Sequence, residues 1–165
     1  MPKIDRKLIA KKIDIVSDLK KIIKAENVLD HEDETRPFET DALSAYKQKP
    51  LVVIFPENTE EVSKILAYCN QQRIKVVPRG AGTGLSGGAL PLADSILLCL
   101  GKFNKIIDID YKNRCVVAQP GVTNLSITQA VQDKGFYYAP DPSSQIACSI
   151  GGNVAENSGG VHSLK

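Results

Sequence analysis

Two stretches of this sequence carry the residue types that can do chemistry. The first is Pro78-Arg79-Gly80-Ala81-Gly82-Thr83-Gly84-Leu85-Ser86-Gly87-Gly88, five glycines in eleven positions directly behind the β-branched run Ile74-Lys75-Val76-Val77. Glycine admits positive φ and lets a ligand approach the main chain, so consecutive N–H groups can converge on one anion. Thr83 and Ser86 add hydroxyl donors, and Arg79 can offset negative charge. The second stretch, Tyr138 to Lys165, is rich in Gly, Pro, Ser and Asn. Within it, Ser149-Ile150-Gly151-Gly152-Asn153 reads as a helix start, whose free N–H groups suit a phosphate or the polar edge of a ring. One tight turn needs one or two glycines, and two such loops in one small chain point to a phosphate-bearing ligand.

Several other chemistries are excluded. A triphosphate loop needs Gly-x-x-x-x-Gly-Lys-Ser/Thr, and no lysine stands between Arg79 and Lys102. Gly82-Thr83-Gly84-Leu85-Ser86-Gly87 matches GxGxxG, with Asp108 about twenty residues on, the Rossmann spacing. A Rossmann fingerprint must open a helix, however, and Ala89-Leu90-Pro91-Leu92 leads into a strand. Four separated cysteines (Cys69, Cys99, Cys115, Cys148), no CxxC pair and two histidines indicate neither a metal site nor a disulfide framework. The formal net charge is +2; residues 1–24 carry eight Lys or Arg against three Asp, which leaves the body of the chain net acidic and disfavours nucleic acid. The apolar runs are too short to span a bilayer, no secretory signal is visible, and a cytoplasmic location is expected. Peripheral attachment to an inner membrane is the alternative, since the lysine-rich face of the amino-terminal segment is either solvated or meets anionic lipid or a partner subunit.

The elements that position the loops follow from periodicity. With 165 residues, 42% of them apolar, the chain is long enough for one compact core. Ile4, Leu8, Ile13, Val16, Ile22 and Ile23 recur at helical spacing and predict an amphipathic helix, and residues 30–50 read as a connector. Leu51–Phe55 predicts a strand. Asn58 with Glu61 predicts a capped helix carrying Val62, Ile65, Leu66 and Cys69, and Ile74–Val77 a second, parallel strand in a βαβ unit. The glycine run therefore leaves the carboxyl end of a parallel strand, where open α/β sheets bind ligands. Ile96–Leu100, Lys105–Asp110 and Cys115–Gln119 predict a meander of three strands. A helix capped at Thr123 or Asn124 follows, ended by Gly135.

Taken together, Pro78 through Gly88, Gln119-Pro120-Gly121-Val122, Pro140-Asp141-Pro142-Ser143-Ser144 and Cys148 through Gly160 resemble the FAD-binding domain of the vanillyl-alcohol oxidase and p-cresol methylhydroxylase (PCMH) superfamily. Arg36-Pro37-Phe38-Glu39-Thr40-Asp41 upstream adds to the match. Within that superfamily the motifs are most similar to flavoproteins that oxidise glycolate and D-lactate. The resemblance implies an α+β fold of PCMH type, incomplete here: a small parallel βαβ subdomain, then a mainly antiparallel region with helices. Residues 1–50 would be an amino-terminal helix and connector, and 51–165 the FAD-binding domain, truncated at its carboxyl end. The substrate domain would be absent and the chain an amino-terminal fragment.

The resemblance further implies FAD as cofactor. Pro78, Arg79, Gly80, Ala81, Gly82, Thr83, Gly84, Leu85, Ser86, Gly87 and Gly88 would wrap its diphosphate. Pro120, Gly121 and Val122 would lie near the adenine or diphosphate. Pro140, Asp141, Ser143, Ser144, Cys148, Ser149, Gly151, Gly152, Asn153, Asn157, Gly159 and Gly160 would line the diphosphate, ribityl chain and isoalloxazine. The implied reaction is oxidation of a 2-hydroxy acid, glycolate ahead of D-lactate, by hydride transfer to flavin N5. Other subunits of an oxidase complex, or the absent carboxyl-terminal part, are the implied partners. No residue is assigned as catalytic; His162 reads as a loop histidine, bonded to main chain or solvated. A remnant that holds a nucleotide without turnover is the second reading.

Overall fold

The structure, a computed structural model, describes residues 3–162. It divides into two compact units, one holding the chain up to Arg79 together with Gly84–Leu100, the other holding Gly80–Thr83 together with the chain from Gly101 onward.

In the first unit, Asp5 caps α1 (Arg6–Ala10), its carboxylate accepting from the N–H groups of Lys7 and Leu8. The expected single helix is interrupted at Lys11, and α2 (Lys12–Ile22) follows. Ile15, Val16, Leu19 and Ile23 form its buried stripe, whereas Ile13 is 84% exposed. The apolar spacing read across the interruption includes positions that fall outside that stripe. β1 (Val28–Leu29), unforeseen, lies ahead of α3 (Glu32–Thr35). β2 (Val52–Ile54) leads into α4 (Thr59–Gln72), capped by the Asn58 side chain, which accepts from Glu61 N–H at 2.9 Å. Arg73 ends α4 in the left-handed conformation, φ 57°.

β3 (Lys75–Arg79) and β4 (Ser95–Cys99) complete a sheet of order β1-β2-β4-β3, in which β4 pairs in parallel with both β2 and β3 and β1 runs antiparallel at the edge. The expected meander is therefore wrong at its first strand. All five residues of β4 are buried, as a parallel strand covered on both faces requires, and it inserts between the two strands expected to be neighbours. Val52, Ile54, Ile96 and Leu98 pack with Ile65, Cys69 and α2 on one face. Val53, Leu97 and Cys99 pack with Phe38 and Phe55 on the other. β3 is an edge strand, so Pro78 costs no ladder bond on its free side. Lys75 and the Asp5 N–H both bond Asp94 Oδ2 at 2.7 Å, tying the amino-terminal segment to the sheet.

In the second unit, β5 (Ile106–Asp110) and β6 (Cys115–Ala118) form an antiparallel hairpin, the part of the meander that holds. α5 (Asn124–Val131) is capped by Thr123, and Gly135, at φ 76°, ends the 3₁₀ turn after it. α6 (Ile150–Glu156) is capped by Ser149 and closed by Asn157 at φ 53°. Among the described residues no helix is long and apolar enough to cross a membrane.

Candidate functional site

In the second unit three predicted loop segments meet. A Cβ on Gly80 would stand 2.2 Å from Ser149 Oγ, so glycine is required where the first loop touches the cap of α6. A Cβ on Gly151 would stand 2.7 Å from Pro120 Cβ and 3.0 Å from its carbonyl oxygen, a contact that only glycine admits. Main-chain bonds fix the same junction: Gly151 N–H donates to Pro120 O and Ile150 N–H to Val122 O, both at 2.8 Å. A third contact joins Asp141 and Gly160 through an isolated parallel bridge.

Asn124 is the residue that sequence reasoning missed here. It was read only as a cap, yet it is fully buried and its Nδ2 donates to Pro140 O at 2.9 Å while its N–H donates to Cys148 O at 3.1 Å. Both ends of residues 140–148 are thus held by the first residue of α5. An asparagine at a predicted helix start, able to bond main chain elsewhere, was the available signal. Cys148 and Val122 are buried, and Asn157 closes α6 in the left-handed conformation. Asn153 is buried with its Nδ2 lacking any protein partner.

His162 is exposed, as a solvated loop histidine would be, and its ring also meets a side chain. Its Nδ1 lies 2.8 Å from Asp141 Oδ2, and its N–H donates to Asp141 Oδ1. That side-chain hydrogen bond holds the Asp141 carboxyl below the usual carboxylate range. His162 is therefore a clasp on the carboxyl-terminal loop.

In the first unit, Arg79 Nη1 donates to Thr40 O at 2.8 Å and to Ala89 O at 3.4 Å, and its guanidinium lies 5.7 Å from the centre of the Phe38 ring. The side chain that was expected to offset ligand charge is thus engaged in bracing the ends of the glycine run, although its charge remains. Gly87, at φ 76°, approaches Leu43. Arg36–Asp41 in this way supply supports for the loop.

The donor set decides what the loops can hold. From Gly80 to Ala89 no main-chain N–H donates to an acceptor among the described residues, and the hydroxyls of Thr83 and Ser86 are likewise without a partner there. Residues 80–94 hold no helix, which removes the Rossmann arrangement. Ten successive unspent N–H groups suit an anion such as a diphosphate, and in the second unit the buried Asn153 Nδ2 stands without a protein partner. A groove of about 530 Å³ between the β5–β6 hairpin and α5, lined by Tyr111, Ile127, Val131, Phe136 and Tyr138, includes none of the predicted site residues.

Residues 50–165 match the profile of the FAD binding domain family, and the chain belongs to that family; its cofactor is FAD. The fold is that of PCMH-type flavoenzymes: p-cresol methylhydroxylase superposes with a TM-score of 0.73 over 92% of this chain and 30% of that one, at 22% identity. Among curated relatives, the glycolate oxidase subunit GlcD of Escherichia coli K12 is 51% identical over all 165 residues, which cover 32% of its length. A probable mitochondrial D-2-hydroxyglutarate dehydrogenase of Oryza sativa subsp. indica is 36% identical over 92% of the chain and 27% of its own length. A D-lactate dehydrogenase of Anaerostipes hadrus is 37% identical over 88% of the chain and 30% of its own length. The chain thus spans about a third of the length of the curated relatives it matches.

Proposed function

We propose that this chain is the FAD-holding part of a flavoprotein that oxidises a 2-hydroxy acid, glycolate first. The observation that carries the reading is the run of unspent N–H groups from Gly80 to Ala89, with Gly80 seated on the cap of α6. Pro78–Gly88 would grip the diphosphate through main-chain amides and the Thr83 and Ser86 hydroxyls. Pro120, Gly121 and Val122 would support the adenine or diphosphate side. Asp141, Ser143, Ser144, Gly152, Asn153 and Gly159 would line the ribityl chain and ring, and the buried Asn153 amide would find its partner there. FAD supplies the acceptor for a hydride from the hydroxy-acid carbon. This chain's residues would bind and orient the group, and none is assigned the role of base. The glycolate preference rests on the 51% identity to GlcD, and the D-lactate reading on the 37% relative.

Titrating FAD into the purified chain and following flavin fluorescence tests the reading. We expect weak, saturable binding and no bleaching by glycolate or D-lactate from these 165 residues. Ser86→Glu, at an exposed position, sets a carboxylate against the diphosphate and weakens binding about tenfold or more without loss of thermal stability. Failure to bind FAD, or equal affinity in the Ser86→Glu variant, refutes the assignment of the loop. In a polypeptide extended to the length of its relatives, bleaching by glycolate faster than by D-lactate supports the substrate order, and the reverse order refutes it.

A further inference from the structure

Asp41 is a buried acid with half of its carboxylate unused. It is 5% exposed. Its Oδ1 accepts from Leu43 N–H at 2.9 Å, while its Oδ2 is shut off from solvent and has no hydrogen-bond partner among the described residues. A buried carboxylate oxygen without a donor costs more than a neutral group in the same position, so this acceptor calls for a partner. Its surroundings, all within the first unit, are those of the glycine loop. Thr40 O, one residue before it, accepts from Arg79 Nη1 at 2.8 Å, and the same nitrogen donates to Ala89 O at 3.4 Å. Leu43, two residues after it, approaches Gly87, where an added Cβ would stand 3.7 Å from Leu43 Cδ2. Contacts to the loop thus flank Asp41 on both sides in the chain. From Gly84 to Ala89 the six main-chain N–H groups donate to no acceptor among the described residues, and neither does the Ser86 hydroxyl. An unmet acceptor stands beside a row of unmet donors.

We propose that Asp41 is a positioning residue for the glycine loop: as the loop wraps its ligand, an N–H of Gly84–Ala89 or the Ser86 hydroxyl donates to Asp41 Oδ2. The proposal rests on the FAD reading of the loop. A diphosphate takes only the amides that converge on it. Amides turned the other way lose their water once the loop is covered and then require a protein acceptor, which Asp41 supplies. A charge-assisted bond of this kind draws the loop against residues 40–43 and leaves the remaining amides aimed at the ligand. Arg79 fixes the two ends of the run through Thr40 and Ala89, and Asp41 fixes its middle.

Asp41→Asn tests it, because the amide keeps an oxygen for Leu43 N–H and sets a donor where Oδ2 stood. Thermal melts, FAD titration and amide hydrogen exchange of the purified chain compare the variant with the parent. Without FAD the variant is as stable as the parent or more so, since the oxygen it replaces bonds nothing there. FAD binds it about tenfold or more weakly, and the slowing of exchange that saturating FAD brings to Gly84–Ala89 in the parent falls by about tenfold. A variant that binds FAD as tightly as the parent overturns the proposal, and one that binds it more tightly does so by showing that the acid only repels the diphosphate. Weaker binding with undiminished loop protection overturns it in favour of direct contact between Asp41 and the ligand. A loss of stability without FAD overturns it in favour of a bond already made in the chain alone. A parent that fails to bind FAD sinks the FAD reading itself, and the proposal falls with it.

Discussion

Gly80→Ala tests the junction of the two loops most directly. The added Cβ would lie 2.2 Å from Ser149 Oγ but 3.4 Å from Ser149 Cβ, so only the hydroxyl must leave. That hydroxyl accepts from Gly152 N–H at 3.3 Å as the cap of α6. Driving it to another rotamer removes the cap, at a cost of about 1 kcal/mol. For a chain of this size that corresponds to a fall in Tm of roughly 2–4 °C. Ser149→Ala alone removes the same bond and costs about the same. In the double variant the obstacle is gone, the remaining 3.4 Å contact is tolerable, and alanine at 80 adds little further cost. Urea unfolding of the four proteins measures the cycle, and a coupling of about 1 kcal/mol is expected. Strict additivity, with Gly80→Ala as damaging in the Ser149→Ala background as in the parent, would refute the claim that the glycine exists to admit that serine. FAD titrations of the same set should rank with stability, Gly80→Ala and Ser149→Ala both weakening binding.

Two adjacent helix glycines should behave oppositely. Gly151→Ala meets the ring and carbonyl of Pro120 and costs about 1–3 kcal/mol, whereas Gly152→Ala meets only the rotatable Ser149 hydroxyl at 3.0 Å and is neutral or mildly stabilising through helix propensity, as thermal melts will show. The buried Asp94 carboxyl is raised by desolvation but lowered more by Lys75 and the Asp5 N–H, so its folded pKa lies below the unfolded value. Its contribution is complete above the unfolded carboxylate range and lost as pH falls through the folded pKa. Asp94→Asn should destabilise by about 1–3 kcal/mol at neutral pH and flatten the acid limb of a stability profile; an unchanged acid limb would refute this. Of the four thiols, Cys69 and Cys99 are pushed up to about 11 and about 12 by burial, Cys148 is buried, and Cys115 is exposed. Native alkylation near neutral pH should label Cys115 alone, counted by mass spectrometry, with all four labelled after denaturation.

Much of the architecture was readable locally. Asn58 with Glu61, Thr123 and Ser149 mark helix starts because a side-chain oxygen satisfies N–H groups two or three residues away, an interaction contained within the motif itself. Gly135 marks a stop for the same kind of local reason. The glycine run stood out because the chain departs from ordinary turn composition there. The break at Lys11 and the exposure of Ile13 were not legible, since helical periodicity looks alike whether or not one face is eventually covered.

What the sequence by itself determined, then, is most of the longer helices and strands and the two glycine-rich stretches, since these depend on residues close together in the chain. Tertiary structure alone decided that β4 enters between β2 and β3, because pairing in a sheet is settled by which apolar faces can be covered together. It alone decided that Arg79 braces Thr40 and Ala89, that Asn124 ties Pro140 to Cys148, and that Gly80 rests on Ser149. Each of those is a contact between residues distant in the chain, where a side chain's role is set by what the fold brings against it.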